Sequence, residues 1–140
     1  MDAPVNYLSI FVAAVAAFVF GFLIHGPLLG NVWLGLMNVT PAEMERGKKE
    51  MEKKMPFYMG AAFLQQLVVA FVLSYFAYIT YSETIGDAFS IAFWAWLGFT
   101  AMPLLNGVLW EKRTVPLYAF NVGYQLASIL LVSLIVTLWR

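Results

Sequence analysis

A chain of 140 residues that is 62% apolar and only 11% charged cannot cover a soluble surface; soluble domains carry about a quarter charged residues, so much of this exterior must meet lipid. The formal net charge of zero removes the electrostatic case for nucleic acid or another polyanion as partner. The absence of cysteine excludes disulfides, thiol nucleophiles and thiolate metal sites.

No Asp, Glu, Lys or Arg stands within residues 3–42, 55–82, 88–110 or 114–139. Each of these stretches holds the ~20 mostly apolar residues that a bilayer-crossing helix needs. Transmembrane helices are expected at about Tyr7–Leu28, Phe57–Ile79, Gly86–Leu109 and Pro116–Leu138. Buried helices of a soluble protein would need a charged outer face, and none of these has one. The expected fold is all-α: an integral membrane four-helix bundle, one domain over residues 1–140, with a short cytoplasmic helix between the first two spans.

The first span follows Asp2 without the basic region of a signal peptide and is long for a signal core, so it is expected to stay as a helix. It carries Ala13, Ala17 and Gly21 at four-residue spacing. Small residues so spaced let two helices approach closely in lipid. A helix of the same chain or of a second copy can use that face, and the reading carried forward sets it at or beside a homo-oligomer contact. His25 falls just before Gly26-Pro27, where the helix is expected to end.

The connector begins with apolar Asn31–Met37, too short to span and suited to the interface. Thr40, Pro41 and Glu43 then form a capping-box start. Glu45–Lys49 and Glu50–Lys54 are favourable pairs one turn apart. A helix is expected to about Lys54, with Pro56 either breaking it or opening the second span. Its mixed charges are read as a solvated face rather than a polybasic lipid site.

The second span carries Gln65 and Gln66, the third carries Pro103 and Asn106, and the fourth carries Asn121, Tyr124, Gln125 and Ser128. The last four follow i, i+3, i+4, i+7 and share a face. Pro103 frees a carbonyl and is a candidate kink. The loops between spans one and two and between three and four together hold seven basic residues, Arg46, Lys48, Lys49, Lys53, Lys54, Lys112 and Arg113. The opposite side has only Arg140. Basic loops stay inside, which predicts both termini on the extracytoplasmic side. Trp33, Phe57, Tyr58, Trp110 and Tyr118 then fall near the inner boundary, and Tyr7, Tyr78, Tyr81 and Trp139 near the outer one.

By that topology His25, Gln65, Gln66, Asn106, Asn121, Tyr124 and Gln125 all lie in the cytoplasmic half. A carboxamide cannot satisfy itself fully in hydrocarbon, so these groups should face inward. Two readings stand: an interhelical hydrogen-bond clamp, which is favoured, or a polar cavity holding a solute or headgroup. Asn106 is expected to meet the Asn121–Tyr124–Gln125 face. The spans hold no Asp, Glu, Lys or Arg beyond their ends, which argues against proton coupling and an acid-lined pore. One histidine without a nearby carboxylate is a poor basis for a metal site or for catalysis. His25 is therefore read as bonded to backbone or water, and no catalytic residue, metal or cofactor is expected.

Asn6-Tyr7, Gly26-Pro27-Leu28-Leu29-Gly30, Trp33, Met37, Thr40-Pro41-Ala42-Glu43-Met44, Leu97-Gly98-Phe99, Asn106, Trp110-Glu111 and Asn121-x-x-Tyr124 occur in an order and spacing that have a counterpart. Together they resemble the bacterial membrane protein family of the domain of unknown function seventeen sixty-one, over nearly the whole chain. The resemblance implies a small four-span protein of the bacterial inner membrane with no assigned activity. It implies polar residues at Asn106, Asn121 and Tyr124. The chain departs from that pattern at Ile24-His25-Gly26, where an aromatic pair and a small hydroxyl residue are implied, and at Asn31, where lysine is implied. The function expected is non-enzymatic, through contacts with membrane lipids, a solute or a protein partner, in a homo-oligomer. The alternative is a small transporter or channel with its polar site in the cytoplasmic half.

Overall fold

The computed structural model describes residues 6–37 and 41–139, and the described residues are helical with no strand. The cap expected at Thr40, and the terminal charges Asp2 and Arg140, lie outside the described residues. Four helical stretches are long and apolar enough to cross a membrane: Tyr7–Leu28, Glu52–Ile79, Ile85–Trp110 and Val115–Leu138.

α1 (Tyr7–Leu23) starts where the Asn6 carboxamide accepts the N–H groups of Leu8 and Ser9 at 3.0 and 3.3 Å, which satisfies donors that a helix start leaves unpaired. It runs into a π-helical turn, Ile24–Leu28, in which Gly26 leaves helical geometry (φ −120°, ψ −106°) beside Pro27. Proline has no N–H to continue the ladder, so the chain bends there into the short α2 (Gly30–Met37).

α3 (Pro41–Ile79) is one continuous helix of 39 residues. The separate connector helix ending near Lys54 is thus corrected: the charged segment and the second span are one rod, with Pro56 inside it. The physical reason is location. Proline deprives the carbonyl four residues back, that of Glu52, of its partner, and Glu52 through Pro56 are all exposed. Water satisfies such a carbonyl cheaply, so the helix need not break.

Tyr81 (φ 55°) turns the chain back after α3. α4 (Ile85–Trp96) opens with a complete capping box: the Asp87 N–H donates to the Thr84 hydroxyl and the Thr84 N–H to the Asp87 carboxylate, each at 3.1 Å. A second π-helical turn, Leu97–Ala101, joins it to α5 (Met102–Trp110). Pro103 therefore sits in the first turn of α5, and the carbonyl four residues back that it leaves without its N–H partner, that of Phe99, falls within the π-helical turn. α6 (Val115–Leu138) is capped by the Thr114 hydroxyl, which accepts the Leu117 N–H at 3.4 Å.

α6 packs against α1, α3 and α4, and α1 and α4 each also touch α3. The core contains Ile10, Ala13 and Ala17 of α1, Ala70 and Leu73 of α3, Ala92 of α4, and Ile129, Val132 and Val136 of α6. Alanines on three helices let the backbones approach closely where lipid supplies no hydrophobic drive. Ala13 and Ala17 are fully buried within the single chain. Of the face expected at or beside a subunit contact, Ala13 and Ala17 are thus covered by the chain's own helices, while Gly21 is half-buried.

Burial is uneven along the helices. In α3 no residue from Glu52 to Val69 is buried, and burial begins at Ala70. The half of the molecule near the chain termini is tightly packed. The half near the charged loops is open between α3 and its neighbours.

Candidate functional site

The open half contains the polar side chains singled out in the sequence. His25 lies in the first π-helical turn, one turn past Gly21, and its Nδ1 is 3.0 Å from the Gly21 carbonyl. A carbonyl only accepts, so Nδ1 carries the proton, and in the neutral ring Nε2 is left as an acceptor. The ring is boxed edge-on by Tyr124, Trp33 and Phe120, with centroids 4.6, 5.1 and 5.9 Å away. Phe20 stacks on the Tyr124 ring with centroids 5.6 Å apart. Gly21 makes room for this arrangement, because a Cβ there would collide with the Tyr124 hydroxyl. Gly21 is thus a seat for Tyr124.

His25, Gln65, Gln66, Tyr124 and Gln125 line one cleft of about 370 Å³ between α1, α3 and α6. Its walls are apolar and aromatic, with Phe18, Phe22, Tyr58 and Met59 among them, and no Asp, Glu, Lys or Arg lines it. Gln65, Gln66 and Gln125 also border a larger recess of about 550 Å³ on the far side of α3, against Phe99 and Pro103 of the third span.

Asn106 and Asn121 come together elsewhere, in a recess of about 260 Å³ at the α5–α6 corner that Tyr118, Glu111 and Arg113 also line. The expected single cluster is thus two. Asn121 stands one turn nearer the start of α6, beside α5, whereas Tyr124 and Gln125 face the α1–α3 side.

Among the described residues, no hydrogen bond joins any two of the seven candidate side chains. The side-chain bonds that do tie the third span to the fourth come from ring donors. Trp96 Nε1 donates to the Val122 carbonyl, and the Tyr118 hydroxyl to the Ala101 carbonyl, both at 2.7 Å. Ala101 closes the π-helical turn, where the regular ladder is interrupted. Tyr118 was expected near the inner boundary, and Trp96 carried no expectation. The available signal was that a ring N–H or O–H inside a span needs an acceptor, although the acceptor itself lies in a backbone irregularity that no motif announces.

Among the described residues no group of three His, Asp or Glu side chains gathers to hold a metal ion. The model of the family described as protein of unknown function DUF1761 matches residues 8–137, and the chain belongs to that family. No curated protein and no solved structure matches the chain.

Proposed function

We propose that this member of the DUF1761 family is a multi-pass membrane protein that binds the uncharged polar head of an amphiphile in the cleft between α1, α3 and α6. One observation carries the reading: five hydrogen-bonding side chains from three helices line a single cleft and do not bond one another. His25 is already held by the Gly21 carbonyl and Tyr124 by Ser128, which leaves the three glutamine amides, and a carboxamide in a bilayer costs several kcal/mol unless something satisfies it. A hydroxyl or carbonyl head fits the chemistry. His25 Nε2 accepts from a hydroxyl, the Gln66 and Gln125 amides donate to a carbonyl, and the aromatic walls suit an apolar body. A charged head would find no counterion, since no Asp, Glu, Lys or Arg lines the cleft.

In this reading the protein is non-enzymatic and sits in a bacterial inner membrane as a four-helix bundle. The basic loops are cytoplasmic and both termini lie outside. The cleft then opens in the inner half, between the splayed part of α3 and α1. A homo-oligomer, expected for so thin a unit, would run through faces other than Ala13 and Ala17, which are buried within the chain.

The test is native mass spectrometry of protein released from membranes without exchange of its lipids. The wild type should carry one retained small amphiphile. The Gln66→Leu, Gln125→Leu double variant should lose it while melting within a few degrees of the wild type. Retention of the same adduct by the double variant would refute the assignment.

A second reading, a small transporter, is favoured by the packed terminal half and the open opposite half, which is the form of a path open to one side. It requires the packed half to open in turn. Ala13→Cys in this cysteine-free chain would then react with an impermeant thiol reagent from the side of the termini. A binding protein with a fixed core leaves that thiol unreacted.

A further inference from the structure

The recess at the α5–α6 corner is a separate site and stands or falls independently of the cleft. It pairs an acid with a base. Arg113 Nε is 3.5 Å from the Glu111 carboxylate, and both side chains are more than half exposed. The loop builds this placement. Lys112 takes φ 58°, and the Arg113 N–H turns back to the Gly107 carbonyl at 2.9 Å. The Arg113 chain then lies across Gly107, where a Cβ would stand 3.0 Å from its Cδ. Asn106 and Asn121 border the same space without a bond to each other. Trp110, 79% exposed at the end of α5, suits the headgroup level of a bilayer, and Leu104 continues the recess toward the apolar zone.

The charges select among headgroups. An anionic head would meet Glu111, and a cationic one would meet Arg113. A head carrying both signs on a short arm answers both. With Nε turned to Glu111, the terminal guanidinium nitrogens remain for a phosphate, which arginine grips bidentately. The carboxylate and the Asn carbonyls accept from an ammonium. A trimethylated ammonium has no N–H to give and prefers an aromatic cage, whereas among the described residues the only ring lining this recess is Tyr118, whose hydroxyl is held by Ala101. At ~30 Å³ per water, a space of 260 Å³ corresponds to about nine waters, enough for a phosphate with a two-carbon amine arm. The remaining loop cation, Lys112, lines a different recess against Leu36 of α2.

We propose that this recess binds the headgroup of a phosphoethanolamine lipid, with its phosphate on Arg113 and its primary ammonium on Glu111. The test uses the full chain in phosphatidylcholine nanodiscs doped with equal amounts of phosphatidylethanolamine and phosphatidylglycerol, with retained lipids counted by native mass spectrometry. The wild type should retain phosphatidylethanolamine over either other lipid by roughly fivefold, the scale of one partly exposed ion pair. Glu111→Gln should erase the preference over phosphatidylglycerol, Arg113→Gln should lose both lipids, and Lys112→Gln should behave as wild type. Glu111 is exposed, so its variant should melt as the parent does. Equal retention of the two lipids by the wild type, or an unchanged preference in Glu111→Gln, overturns the proposal. So does displacement by soluble glycerophosphoethanolamine at matched concentration, which would make this a site for a free solute.

Discussion

Gly21 and Tyr124 show how one atom's clearance organises the cleft. A Cβ at Gly21 would strike the Tyr124 hydroxyl, while the next ring atom stands at 3.5 Å, an ordinary contact. Gly21→Ala should therefore lower stability by about 1–3 kcal/mol, as overpacked sites do, and Tyr124→Phe in that background should recover most of the loss. Thermal unfolding in one fixed lipid measures both. Additive losses would mean that the two residues do not meet as described. In the sequence these residues belonged to different arguments, Gly21 to a seam of small residues and Tyr124 to a polar face. Spacing identified each pattern, but only the packing of α1 on α6 makes them partners. His25 was read as bonded to backbone or water, and its Nδ1 lies 3.0 Å from the Gly21 carbonyl. Its box of three rings was not legible, because Trp33, Phe120 and Tyr124 come from two elements far apart in sequence.

At the level of elements, charge-free runs of the right length marked four helices, and each of the four helices long and apolar enough to cross a membrane lies largely within one of those runs. Interruptions were harder to read. Pro56, read as breaking the connector helix or opening the second span, lies within the continuous α3, and Pro103, read as a candidate kink, has the π-helical turn at Leu97–Ala101 immediately before it. A proline's effect depends on whether the carbonyl it orphans can find water or another donor, and that is a tertiary fact. The interhelical bonds carry a stability prediction. Tyr118→Phe and Trp96→Phe each remove the donor of a 2.7 Å bond between spans and should each cost about 1 kcal/mol. Asn121→Leu removes a side chain with no bond to its fellow candidates and should cost less than either. If Asn121→Leu proved the most damaging of the three in equilibrium unfolding, the carboxamides would be the clamp after all.

For the whole molecule, the packed half near the termini and the open half near the charged loops set the terms. The orientation proposed here rests on seven basic residues in two loops against Arg140 alone on the other side. Lys49→Cys should resist an impermeant thiol reagent in intact cells, and a cysteine appended after Arg140 should react. The reverse pattern would turn the cleft toward the opposite side. The central claim is that an uncharged amphiphile fills the cleft between α1, α3 and α6. A structure determined in retained native lipid tests it most directly. Elongated density is expected there, with its polar end within hydrogen-bonding distance of His25 Nε2 and Gln125, and it should be lost in the Gln66→Leu, Gln125→Leu variant. A cleft closed by direct bonds between Gln65 or Gln66 and Gln125, or filled by a helix of a second copy, would contradict it.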